Sequence, residues 1–195
     1  MIVRELVRRL SGQFKIFLVS DDTARDVVSV LGQGVIHGHF SWPHGPKAPP
    51  AARHALLAWL QKKKVAVVHF HCGGVYGWGY RSLFFSLPVL CRRMGIRVIW
   101  TDHSVVPITY GYCGPQQRLV FRLAMLPFVW ISKFLILRSV EKEIAVSDHD
   151  RDILCARFAP FAGKIRRIYH SRLDEGLPEL LPLVRQNHIL NVGHV

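Results

Sequence analysis

Apolar positions recur at helical spacing at the start of the chain, where Ile2, Leu6, Val7 and Leu10 share one face. Gly12 follows where such a helix would stop. Residues 15–20 (KIFLVS) then form a short apolar run read as a strand. A second excursion, GVIHGHF, leads into the loop SWPHGPKAPP, whose prolines exclude regular structure. The pattern returns to helical spacing in AARHALLAWLQKKK, which ends in Lys62, Lys63 and Lys64, suited to the negative end of a helix dipole. VAVVHFHCGG is a near-continuous apolar run, the signature of a strand buried on both faces. Beyond it the pattern predicts a helix over 80–94, a strand IRVIWTDHS, a long apolar helix, a strand EIAVS, a helix over 148–158 and a strand KIRRIYH. Strands alternating with helices of this length predict a parallel α/β sheet with right-handed crossovers.

The stretch 119–137 is apolar enough to raise the question of a membrane span. Arg122 and Lys133 interrupt it, and Pro127 and Ser132 lie between or beside them. A span needs about 20 predominantly apolar residues, so this segment does not cross a bilayer. It reads as a buried crossover helix, with a helix lying on a membrane face and snorkelling its cations as the alternative. At the other end, 179–187 reads as a Pro- and Leu-containing connector, and HILNVGHV as a fresh buried strand.

Composition narrows the class. Half of the 195 residues are hydrophobic, which excludes intrinsic disorder, and no short period or low-complexity tract supports a fibrous protein. The net charge is +13, and 18 of the 26 basic residues are arginine, which favours planar oxyanions such as phosphate or carboxylate. The bases occur as separate clusters (Arg4/Arg8/Arg9, Lys62–Lys64, Arg92/Arg93 and Arg166/Arg167) rather than one stripe. Nucleic acid is therefore not an expected partner, and an anionic membrane surface fits the balance of charge and apolarity at least as well. Cys72, Cys91, Cys113 and Cys155 form no CxxC pair, and the N-terminus carries no signal peptide, so free thiols in a reducing cytoplasm are expected.

Candidate chemistry gathers at strand ends. His69 and His71 flank Phe70, and alternation sends both imidazoles to one face. Such a pair can chelate a transition metal, or present a substrate-binding or catalytic imidazole at the carboxyl edge of an open sheet. His37-Gly38-His39 repeats the spacing, and Asp102, His103, His149 and Asp150 are further candidate ligands. Gly73, Gly74, Gly77 and Gly79 would let backbone N–H groups approach a phosphate or sugar, although Ser82 stands where a dinucleotide fingerprint needs its third glycine. Thr101-Asp102-His103-Ser104 ends another strand; His103 could serve as base or hydroxyl-polarising group, while Asp102, pointing the other way, would orient backbone. No GxSxG elbow is present.

Taken in order, VVHFH, CRRMGIRVIWTDH, EIAVS, KIRRI and ILNVG resemble the strand-end motifs of the N-terminal half of a GT-B glycosyltransferase of family four. The resemblance covers about 65–195. It implies a Rossmann-like, doubly wound, mostly parallel α/β sheet and transfer of a glycosyl group from a nucleotide sugar, with retention of configuration and without a cofactor or metal. It makes His103 the catalytic histidine near the reacting sugar, and His71, Gly73, Gly74 and Asp102 the substrate-binding wall of the acceptor cleft. The TDHS form is similar to enzymes that glycosylate phosphatidylinositol-type lipids, which implies a lipid or saccharide acceptor and a peripheral place on the inner face of the membrane.

Two departures shape the expected domain plan. The family opens with a strand and Gly-rich loop before its first helix, whereas here the first helix begins at the N-terminus. The first strand is thus missing, which would leave a gap at the centre of the sheet with unpaired backbone groups. The turn after the last strand also departs from the family's Pro-Asn-Gly-x-Asp, reading Tyr169-His170-Ser171-Arg172-Leu173. The expected plan is an incomplete acceptor-side domain over 1–178, a linker over 179–187 and the truncated start of a donor-binding domain over 188–195. Such a piece would be inactive alone. The alternatives are a metal-dependent hydrolase built on His69, His71 and His103, and a non-catalytic membrane-surface module.

Overall fold

The computed structural model describes residues 2–20, 31, 34–42, 50–72, 80–103, 119–168 and 189–192. Helix α1 (Ile2–Ser11) leads into strand β1 (Ile16–Ser20), followed by β2 (Gly38–Ser41) and α2 (Pro50–Lys62). Then come β3 (Val67–Cys72), a 3-10 segment (Tyr80–Phe85), α3 (Leu87–Arg93) and β4 (Arg97–Asp102). The long helix α4 (Leu119–Ser139) precedes β5 (Lys142–Ala145), α5 (Asp148–Arg157), a second 3-10 segment (Ala159–Lys164), β6 (Ile165–Arg167) and β7 (Ile189–Val192). Among the described residues seven strands make one sheet in the order β2-β1-β7-β3-β4-β5-β6, and every pairing is parallel. The expected α/β, Rossmann-like parallel architecture is present.

Strand alternation sorts the core into layers. Phe17 and Val19 of β1, Val68 and Phe70 of β3, and Val98 and Trp100 of β4 share one face, where Leu56 and Leu60 of α2, Leu87 and Cys91 of α3, and Ile136 of α4 cover them. The alternate β1 residues, Ile16 and Leu18, face the other way and pack on Val7 of α1 and on Leu31. Both faces of the sheet therefore carry helical cover, as a doubly wound sheet requires. A third cluster joins Leu137 of α4 to Ala145, Leu154, Phe158 and Ile165 at the outer strands. Burying side chains of this kind stabilises by about 1.5–3 kcal/mol each, which is why the apolar parity of each strand sets which way it faces.

At the centre of the sheet lies β7. Ile189–Val192, within the segment 188–195 expected to open a second domain, pairs with both β1 and β3. Ile189 is opposite Ile16 on one side and Val67 on the other, so β7 lies between β1 and β3. The physical reason is the cost of burying two facing ladders of unpaired N–H and C=O groups along β1 and β3. The expected boundaries at 178 and 187, and the turn 169–173, lie outside the described residues.

One helix differs. The pattern predicted a continuous helix over 80–94, but Leu83 takes φ 45° and ψ −106° and the α-helix starts only at Leu87. Pro88 sits in its first turn, where a proline costs no hydrogen bond, and would break a helix running through it. At its far end Gly95, at φ 77°, turns the chain back into β4 with no Cβ penalty.

Candidate active site

All seven strands run the same way, so their carboxyl ends form one edge, and His71, Cys72, Asp102 and His103 meet there. The β3–β4 register sets His71 beside Thr101 and Cys72 beside Asp102. Side chains opposite one another in register share a face, so His69, His71, Thr101 and His103 form a polar file. Phe70, Trp100 and Asp102 point into the helix-covered layer. The apolar run of β3 is thus buried on both faces, but one of those faces is lined with imidazoles.

The file is internally bonded. His69 Nε2 is 2.7 Å from Thr101 Oγ1, and the His69 and His71 rings lie with centroids 4.1 Å apart. His71 Nδ1 is 3.2 Å from His103 Nε2, and those rings stack at 5.4 Å with only 25° between their planes. A contact between two imidazole nitrogens requires one to donate and the other to accept, so the tautomer of one ring sets that of the other. His71 is 6% exposed and His103 is partly exposed, which grades the pair from wall to opening. Burial, and then the charge of His103, push His69 down to about 4, so it stays neutral at physiological pH.

Behind the file lies a fully buried ionic cluster. Lys133 Nζ donates to Asp102 Oδ2 at 2.9 Å and to Glu143 Oε1 at 2.7 Å, and all three side chains have zero exposure. The Trp100 indole N–H donates to Asp102 Oδ1 at 3.1 Å, so both Asp102 oxygens are engaged from the core side. Asp102, expected to bind substrate, has no accessible surface to offer one. Burial favours the neutral form of Lys133, but the two carboxylates outweigh it and hold the ammonium charged. Burial pushes Glu143 well above the ordinary carboxylate range; Lys133 opposes this and Asp102 adds to it. One proton on Glu143 would leave the cluster electrically neutral. The sequence favours a buried crossover helix here, with a membrane-face helix snorkelling Lys133 as the alternative, and the structure seats Lys133 in the core. The signals for this cluster were a lone cation in an apolar helix and an acid, Glu143, in a core strand.

The other sequence candidates divide. His37 Nδ1 accepts from the Ile16 backbone N–H at 3.3 Å, and His39 Nε2 lies 3.0 Å from Ser20 Oγ, so both imidazoles tie β2 to β1. His149 is exposed on α5, and Asp150 closes the α5 N-cap with Ser147, whose Oγ accepts from the Asp150 N–H at 3.0 Å. Gly73 and Gly74 lie outside the described residues. Among the described residues no three His, Cys, Asp or Glu side chains are placed to hold a metal ion. In this arrangement His69 bonds Thr101 and His71 bonds His103. Burial pushes the Cys91 thiol up to about 12, which makes it a packing residue rather than a nucleophile. No described helix is long and apolar enough to cross a membrane.

A parallel α/β sheet with polar side chains converging at its carboxyl edge is the architecture of a Rossmann-like ligand-binding domain. The family model Glycosyltransferase Family 4 matches residues 1–171, and the chain belongs to that family. No curated protein matches it.

Proposed function

We propose that this chain is the acceptor-side domain of a retaining glycosyltransferase that moves a sugar from a nucleotide-sugar donor to a lipid or saccharide acceptor. The observation that carries the reading is the His71–His103 pair, set at the carboxyl edge of the sheet in a chain of Glycosyltransferase Family 4. His103 is the catalytic residue, facing the reacting sugar. His71 forms the wall behind it and fixes which nitrogen of His103 donates to a substrate hydroxyl. Gly73 and Gly74, next in the chain after β3, complete the acceptor wall. The donor is held by a second domain, and neither a metal nor a cofactor takes part. The test is transfer of label from a nucleotide sugar to a lipid extract, with the chain alone and with a family donor-binding domain supplied in trans or fused. Transfer that needs the added domain and disappears in His103→Ala supports the reading. Transfer by His103→Ala at the wild-type rate overturns the catalytic assignment.

A second feature favours a lipid acceptor. Phe84 and Phe85 are 50% and 62% exposed, and Trp130 and Ile131 are each 45% exposed on α4, which packs against the segment carrying the phenylalanines. Exposed aromatic residues on a chain of net charge +13 match an anionic bilayer interface. On this reading the protein works peripherally on the cytoplasmic face of a membrane.

A further inference from the structure

The buried cluster behind the sheet edge holds two acids and one cation with no access to water, an arrangement that is expensive to bury. Replacing such a cluster with apolar residues of similar volume is often neutral or stabilising, so stability alone is a weak reason for it. Its geometry gives a better one. Asp102 is the last residue of β4 and His103 the next in the chain. Asp102 and His103 point to opposite faces, so whatever grips Asp102 also sets the height and tilt of His103. Lys133 grips it from α4 at 2.9 Å, and the Trp100 indole, on the same strand, squares the carboxylate at 3.1 Å. The same ammonium holds Glu143 of β5 at 2.7 Å, so one side chain ties α4, β4 and β5 together beneath the strand ends. Glu143 is attached by one oxygen only, its Oε2 having no hydrogen-bond partner among the described residues.

We propose that Lys133 is a positioning residue, holding the end of β4 through Asp102 so that the His103 imidazole meets His71. This deepens the functional reading above and rests on it for the role of His103. Asp102 carries the mechanical link, and Glu143 holds Lys133 from the other side while its carboxyl also interacts with that of Asp102. Lys133 acts on the pair through the backbone, not through contact with substrate.

The test is a long-range proton–nitrogen NMR titration of the imidazoles in the full chain. It needs no enzymatic activity, so a failed transfer assay and a failed positioning role are told apart. Asp102→Asn keeps one acceptor oxygen where two donors converge. It is expected to break the mutual dependence of the His71 and His103 titrations while leaving that of exposed His149 unchanged. Glu143→Gln keeps the Lys133–Asp102 bond and is expected to preserve the coupled titration. Lys133→Met/Asp102→Asn/Glu143→Gln removes all three ionisable groups together and strands no charge. It is expected to melt cooperatively and yet lose the coupling. A folded Asp102→Asn or triple variant with wild-type His71 and His103 titrations overturns the proposal. So does a triple variant that fails to fold, since the cluster would then be a requirement of folding rather than of position.

Discussion

His71 Nδ1 and His103 Nε2 lie 3.2 Å apart, joined across two neighbouring parallel strands. His71 stands opposite Thr101, so His103 sits two residues further along and must fold back over the strand end to reach it. Two rings that share a hydrogen bond should not behave independently. His71→Ala and His103→Ala are each expected to weaken acceptor binding or transfer. The double variant should lose less than the two single losses combined, with a coupling of about 1 kcal/mol. Additive losses in a double-mutant cycle would show that the contact does no work in the site.

His69 sets an acid limit on stability. Its folded value near 4 lies below the ordinary 6.5, so between those values the unfolded chain binds the extra proton. Stability should therefore be lost as pH falls from 6.5 to 4, by on the order of 3 kcal/mol for a group this deeply buried. His69→Gln keeps a hydrogen-bonding group for Thr101 and does not titrate. Urea midpoints at neutral pH and near pH 4.5 should differ clearly less in the variant than in the wild type; equal differences would refute the assignment.

Glu143 acts in the opposite direction. Burial raises its folded value above that of the unfolded chain, so the folded state keeps a proton that the unfolded state releases. Stability contributed this way is present at low pH and declines as pH rises through the neutral and mildly alkaline range. Glu143→Gln should flatten that decline. Melting curves from pH 6 to 9 would show it, and parallel wild-type and variant profiles would mean the proton is not on Glu143.

Lys164 closes the end of α4. Its ammonium donates to the carbonyls of Leu137, Arg138 and Val140 at 3.1, 3.2 and 2.8 Å, groups that the end of a helix leaves without partners. Lys164→Met keeps the aliphatic stem and removes the donors. It is expected to destabilise by about 1 kcal/mol, which is roughly 3 °C in melting temperature for a domain of this size. An unchanged melting temperature would place those carbonyls in contact with water instead.

Exposed Phe84 and Phe85 give the membrane reading its own test. The chain should co-sediment with vesicles containing acidic lipid, less so as salt rises, and Phe84→Ser/Phe85→Ser should reduce the bound fraction without altering the fold. Indifference to acidic lipid at low salt would remove the membrane surface as a partner.

Much of this protein was determined by sequence alone. Short apolar runs alternating with helical periods located β1, β3, β4 and β5 and the helices between them, because periods of 2 and 3.6 are local properties of the chain. The spacing of His69 and His71 already put both imidazoles on one face, and the residue order put Asp102 on the other. The tertiary structure decided what depends on distant partners. Periodicity marked 189–192 as a buried strand but could not choose its neighbours; two open ladders on β1 and β3 did. Lys133 read as a charge awkwardly placed in an apolar helix, and became a core residue only because Asp102 and Glu143 arrive on adjacent strands. Which residues carry charge is written in the chain, but whether a charge can be buried depends on the countercharge that folding brings to it.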